Sequence, residues 1–176
     1  MFLIKRPGIF ILILLISACS TSKPVATTKK PAHKPGKKIE NVGNTKVPPK
    51  INKVIETARS YTGTPYKWGG TTRAGMDCSG LVCISYQAAG IPIPRTSAEQ
   101  SKYGKVSSLE SIKEGDLVFF AANKGNGKVT HVGLVTEVKG KNDVKFIHAS
   151  TKLGVVENNL FSDYYRKIYV KARRPL

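Results

Sequence analysis

The hydrophobic period changes part-way along this chain, and that change limits the folds open to it. In residues 51–61 the apolar side chains Val54, Ile55 and Ala58 recur at helical spacing. In residues 78–89 Cys78, Leu81, Val82, Ser85, Ala88 and Ala89 do the same, before Gly90 and Pro92 stop the run. From residue 116 the pattern becomes short β-branched and aromatic runs, at 116–120, 132–138, 144–148 and 168–173, separated by Gly, Asn and Lys. Between the two halves, Thr96-Ser97-Ala98-Glu99 has the form of a capping box and predicts a third short helix ending near Tyr103. Helices followed by strands specify an α+β domain, with the helices packed on a mostly antiparallel sheet.

The second helical run begins with Asp77-Cys78-Ser79-Gly80 and follows a loop rich in breakers, Gly63-Thr64-Pro65-Tyr66-Lys67-Trp68-Gly69-Gly70. Asp77 reads as the N-cap, accepting a hydrogen bond from Ser79 or Gly80. Cys78 then lies in the first turn, on the inward face. Unpaired amides and the helix dipole favour a thiolate there, so a depressed pKa is expected. Cys83, off that face, reads as a buried inert thiol.

His131 and His148 fall in adjoining β runs. A turn at residues 139–142 places His148 opposite Gly133 and one diagonal step from His131, so both histidines share a face, with open space at Gly133. A helix-capped cysteine and two histidines on one face supply a nucleophile, a base and an orienting group. No zinc-type spacing appears, and neither a metal nor an organic cofactor is expected.

The N-terminus is a different kind of sequence. Lys5 and Arg6, an apolar run at 9–16 and then Ser17-Ala18-Cys19 make residues 1–18 a secretory signal, too short to be a spanning helix. Ile16-Ser17-Ala18-Cys19 resembles a bacterial lipobox, which makes Cys19 the lipidated first residue of the mature chain and a membrane anchor. Ser20 after it resembles lipoproteins passed on to an outer membrane, and the periplasmic face of that membrane is the expected location. Residues 19–50, rich in Lys, Pro and Thr, cannot bury enough surface to fold and read as a tether, with His33 a solvated side chain. The tether carries eight Lys against one Glu, and residues 51–176 carry nineteen Lys or Arg against ten Asp or Glu. Such a balance suits an anionic partner. Export, and the absence of helix-turn-helix, zinc-finger or aromatic RNA-binding signatures, excludes nucleic acid.

Taken in order, Gly63-Thr64-Pro65-Tyr66, Trp68-Gly69-Gly70, Asp77-Cys78-Ser79-Gly80-Leu81-Val82, Pro94-Arg95-Thr96, Gly115-Asp116-Leu117-Val118-Phe119-Phe120 and His131-Val132-Gly133 resemble the NlpC family of cell-wall cysteine peptidases. The resemblance covers residues 51–174. It implies a papain-like α+β fold, a domain that works as a monomer, and hydrolysis of peptidoglycan peptides. By matching motif, Cys78 is the nucleophile, His131 the base and His148 the group that holds the imidazole. A longer turn between the two histidines leaves Asn142, Asp143 and Asn158 as alternatives for the third place. The resemblance also assigns Tyr66 and the Cys78 amide to the oxyanion, and Asp77, Ser79 and Arg95 to substrate contacts, with Asp77 and Arg95 equally readable as a plain cap and a surface cation. Among reactions, cleavage of D-alanyl–diaminopimelate cross-links is expected first. Cleavage between D-glutamate and the diamino acid is second, and thiol acyl transfer or non-enzymatic envelope binding are the remaining classes.

Overall fold

The computed structural model describes residues 47–122 and 127–176. Residues 1–18, read as a signal peptide, Cys19, His33 and the expected tether up to residue 46 lie outside the described residues.

The first helix, α1 (Pro49–Ser60), starts two residues earlier than the apolar pattern indicates. Proline is favoured in a first helical turn because it lacks an N–H that would go unpaired there, and Pro49 takes that place. Ile51, Val54, Ile55 and Ala58 are buried, so the helix has one inward stripe. A two-strand hairpin, β1 (Thr71–Thr72) and β2 (Gly75–Met76), leads into α2 (Cys78–Ala88). Asp77 caps α2 through its side chain, which accepts from the Gly80 amide. The buried residues of α2 run from Cys78 to Val82 and then include Ser85 and Tyr86, whereas Ala88 is exposed. Tyr86 is the correction to the sequence pattern. Its hydroxyl donates to the Gly115 carbonyl, so an aromatic ring with a polar tip is buried at a position that the apolar stripe read from the sequence does not include. Helix α3 (Ser97–Gln100) is capped by Thr96 and is shorter than expected.

The main sheet has six strands in the order β3-β8-β4-β5-β6-β7, every pair antiparallel. They are β3 (Lys105–Ser107), β4 (Leu117–Phe120), β5 (His131–Gly140), β6 (Asp143–Ser150), β7 (Gly154–Asn159) and β8 (Tyr169–Arg174). A short helix, α4 (Asp163–Ile168), precedes the last strand. Leu117, Phe119, Val132, Leu134, Ile147 and Ala149 pack with α1 and α2 in one core. Val118, Phe120, Val135, Val144, Phe146 and Ala172 build a second core, closed by Tyr165 and Ile168 of α4. With both faces covered, all four residues of β4 are buried, which is why it reads as an unbroken apolar run.

The hairpin that carries both histidines reaches the expected register by another route. Its turn is tighter, with Gly140 paired to Asp143, and two bulges follow, between Val138 and Gly140 and between Val135 and Glu137. Each bulge removes one step of offset, and Leu134 ends opposite Ile147. Continued by one residue, that register sets His148 opposite Gly133. The space at Gly133 is not open, however: a Cβ there would meet Phe146 Cδ2 at 2.4 Å and the Ile147 carbonyl oxygen at 3.2 Å. Gly133 is needed so that the Phe146 ring can lie across the strand, where it stacks on His148 at 5.0 Å and 21°. Gly133→Ala is therefore expected to destabilise the fold by ~1–3 kcal/mol through overpacking. Thermal denaturation checks this, and an unchanged melting temperature would contradict it.

Candidate active site

Cys78 is 7% exposed, and the backbone amides of Val132, Ser79 and Cys78 itself all draw its pKa down. Val132 can offer its N–H because the paired register between β5 and β6 stops at Leu134 and Ile147. The thiol thus sits against the strand residue next to His131. Burial nevertheless outweighs the amides and, with the Asp77 charge adding in the same direction, pushes the thiol above its ordinary value. The expectation of a pre-formed thiolate is corrected here: helix-end amides favour the anion, but removal from water costs more. Cys83, read as buried, is half-buried and donates to the Ile93 carbonyl at 3.8 Å.

The two histidines are in direct contact. His131 Nε2 lies 2.8 Å from His148 Nδ1, with the rings edge to face. Burial, reinforced by His148, pushes the His131 pKa down to about 3, and burial also lowers that of His148 despite the opposing pull of Asn158. Both rings are neutral near pH 7. His148 is the residue against His131, and of the alternatives for the third place only Asn158 touches His148, at 2.9 Å from Nε2. Asn142 and Asp143 instead meet Asn159, through the Asn142 carbonyl and the Asp143 carboxylate. Tyr165, which sequence reading missed, places its hydroxyl 3.0 Å from both His148 Nε2 and Asn158 Oδ1. A six-residue helix carries too little periodicity to be seen in advance.

Asp77 is the second centre of the site. Oδ1 accepts from the Gly80 amide at 2.6 Å, Ser79 Oγ at 3.0 Å and Arg95 Nη1 at 3.0 Å. Oδ2 accepts from Arg95 Nη2 at 2.8 Å and the Gly69 amide at 2.9 Å. Arg95 Nη1 also donates to Ser79 Oγ at 2.9 Å. These bonds hold the Asp77 carboxyl below its usual range against the opposing effect of burial. The knot ties the breaker loop, the start of α2 and the segment before α3 together. Gly80 permits it, since a Cβ there would strike the Gly70 carbonyl oxygen at 2.4 Å. Arg95 thus faces Asp77 as a bidentate partner. Tyr66 pairs with Met76 as a bridge beside this knot, and burial together with the Cys78 and Asp77 charges raises its pKa, so its phenol stays protonated as a donor. Among the described residues no cluster of His, Cys, Asp and Glu is arranged to hold a metal.

A family model described as NlpC/P60 matches residues 63–174. The chain belongs to the NlpC/P60 family. It is 40% identical over 126 residues to a probable endopeptidase of Haemophilus influenzae, covering 70% of this chain and 74% of that protein. Against the murein DD-endopeptidase/LD-carboxypeptidase MepS of Escherichia coli it is 36% identical, covering 71% of this chain and 63% of that one. A gamma-D-glutamyl-L-lysine dipeptidyl-peptidase of Bacillus subtilis is 44% identical over 81 residues, which are 46% of this chain and 27% of that longer protein. Among solved structures, an NlpC/P60 family protein from Bacillus cereus superposes with a TM-score of 0.64 at 36% identity, over 72% of this chain and 40% of that one. These likenesses confirm the α+β, papain-like class of the fold and place the chain among peptidoglycan endopeptidases.

The neutral resting pair has a direct consequence for reactivity. Iodoacetamide labelling of Cys78, followed by peptide mass mapping, is expected to climb with pH above neutrality and to show no plateau between about pH 5 and 7. An acid plateau would reveal a standing thiolate.

Proposed function

We propose that this member of the family cuts peptide cross-links of peptidoglycan at the D-alanyl–diaminopimelate bond, with Cys78 as nucleophile and His131 as base. As substrate enters, the Cys78 sulfur attacks the scissile carbonyl carbon and its proton passes to the free nitrogen of His131, Nδ1. The oxyanion is held by the Cys78 amide and the Tyr66 hydroxyl. Collapse breaks the C–N bond, and His131 returns the proton to the departing amine. Water then attacks the thioester, giving its proton to His131 and finally restoring the thiol while the new carboxylic acid leaves. His148 holds the ring throughout. No metal or organic cofactor takes part.

The observation that carries the choice of bond is the filled surrounding of Asp77. A carboxylate offers about four lone-pair positions. Two arginine nitrogens, two backbone amides and the Ser79 hydroxyl already occupy them. A free ammonium on a stem peptide would have to displace Arg95 to bind there, which favours a cross-linked substrate without that group. The dipeptidyl-peptidase relative supports the second reading, cleavage between D-glutamate and the diamino acid.

The N-terminal residues complete the proposal. Residues 1–18 act as a signal peptide and Cys19 carries the lipid. The basic tether, residues 19–50, lets a monomeric domain reach the wall from the periplasmic face of the outer membrane. In muropeptide digests analysed by mass, the protein is expected to convert cross-linked dimers to monomers, and Cys78→Ala is expected to leave them intact. Intact dimers beside rapid cleavage of free stem peptides after D-glutamate would overturn the choice of bond.

A further inference from the structure

Beyond the pair of histidines, the chain of hydrogen bonds continues to a closed triangle. His148 Nε2, Asn158 Oδ1 and the Tyr165 hydroxyl lie 2.9 to 3.0 Å from one another. Two elements outside the nucleophile helix supply it. Asn158 sits on β7 opposite Phe146, hence on the same face as His148 two residues further along β6. Tyr165 belongs to α4 and is fixed by edge-on packing against Phe146, at 4.8 Å and 85°, and by a tilted contact with Phe120 at 5.5 Å.

The triangle matters because two neutral imidazoles in series can carry their protons in two ways. In one arrangement His148 holds its proton on Nε2, its Nδ1 is bare and accepts from the N–H of His131 Nε2, and His131 Nδ1 is bare. In the other, every proton is shifted one nitrogen along, His131 Nδ1 carries hydrogen, and the ring cannot take a proton from a thiol. Only the first arrangement yields a base. A carbonyl oxygen at His148 Nε2 selects it, because an oxygen without hydrogen can only accept. The Tyr165 hydroxyl holds the amide in that orientation by donating to the same Asn158 Oδ1. The amide could turn to present its nitrogen only by surrendering that bond.

We propose that Asn158 and Tyr165 are positioning residues: together they hold His148 as its Nε2–H tautomer and so keep His131 Nδ1 bare toward Cys78. This rests on the reading of His131 as base. Neither residue touches the reacting atoms. Their effect on turnover passes wholly through the protonation of the two rings, and the oriented N–H dipoles also favour the imidazolium that forms on His131 during attack.

The test joins nitrogen-15 NMR of the full-length chain with kinetics on dimeric muropeptides. Wild type and Asn158→Asp, which retains an acceptor oxygen, are expected to show the Nε2–H tautomer at His148. Asn158→Leu is expected to lose it. In the same order kcat should stay within about threefold for Asn158→Asp and fall about tenfold or more for Asn158→Leu, with KM little changed. Tyr165→Phe should fall between them, since the amide keeps its oxygen but loses its brace. The proposal is overturned if folded Asn158→Leu keeps the Nε2–H signal, or if Asn158→Asp loses as much activity as Asn158→Leu. Because the tautomer is read without substrate, an error in the assigned bond leaves this test standing.

Discussion

The 2.8 Å contact between His131 and His148 is the interaction on which the proposed chemistry of this protein depends. It occupies Nε2 of His131 and so makes Nδ1 the only nitrogen free to serve a thiol. It exists because of backbone events several residues away. The two bulges in β5 return the hairpin to a register in which the histidines share a face, and Gly133 lets Phe146 lie flat beneath His148. A slip of one residue would send one imidazole to the opposite face of the sheet. The cost of this arrangement is desolvation, which keeps both rings neutral and the thiol protonated at rest.

On the other side of Cys78, the Asp77 knot plays the corresponding part for the main chain. A helix N-terminus needs only one side-chain acceptor, yet Asp77 receives five donors from three separate segments. The surplus binds the Gly69 amide and the guanidinium of Arg95, so the loop carrying Tyr66 is held at a fixed place relative to Cys78. A similar device anchors the end of the domain, where the buried Asp116 carboxylate takes both Nε and Nη2 of Arg174 at 2.7 Å and bonds Ser107 as well. Asp116 is 1% exposed, and leaving such a buried carboxylate without its partner costs about 3–5 kcal/mol, whereas the Arg95 side chain is 39% exposed and solvent screens its pairing with Asp77.

Much of this was legible in the sequence, and the limits have physical reasons. The N-cap of α2, the stripe on α1, four of the six main strands and the shared face of the histidines follow from periodicity and capping rules, which act locally. Strands β3 and β7 escaped because they are edge strands of mixed polarity, Lys105-Val106-Ser107 and a run ending in Glu157-Asn158-Asn159. Tyr86 escaped because α2 is covered on more than one side, and a helix buried nearly all round has no single stripe. The direction of the Cys78 shift was misjudged for a related reason: the helix end is visible in sequence, whereas the depth of burial around it is a property of the assembled cores. The bidentate Arg95–Asp77 bond joins residues eighteen apart in the chain, and nothing local announces it.

The central claim is that catalysis starts from a neutral thiol and a neutral imidazole, with the proton moving only when substrate arrives. An NMR titration of the His131 ring in the resting protein tests this most directly. The account predicts a ring that stays neutral from pH 8 down to about 5, in keeping with a pKa of about 3. A ring that is still charged at neutral pH, where the Cys78 thiol has already lost its proton, would contradict it and establish a standing thiolate–imidazolium pair instead.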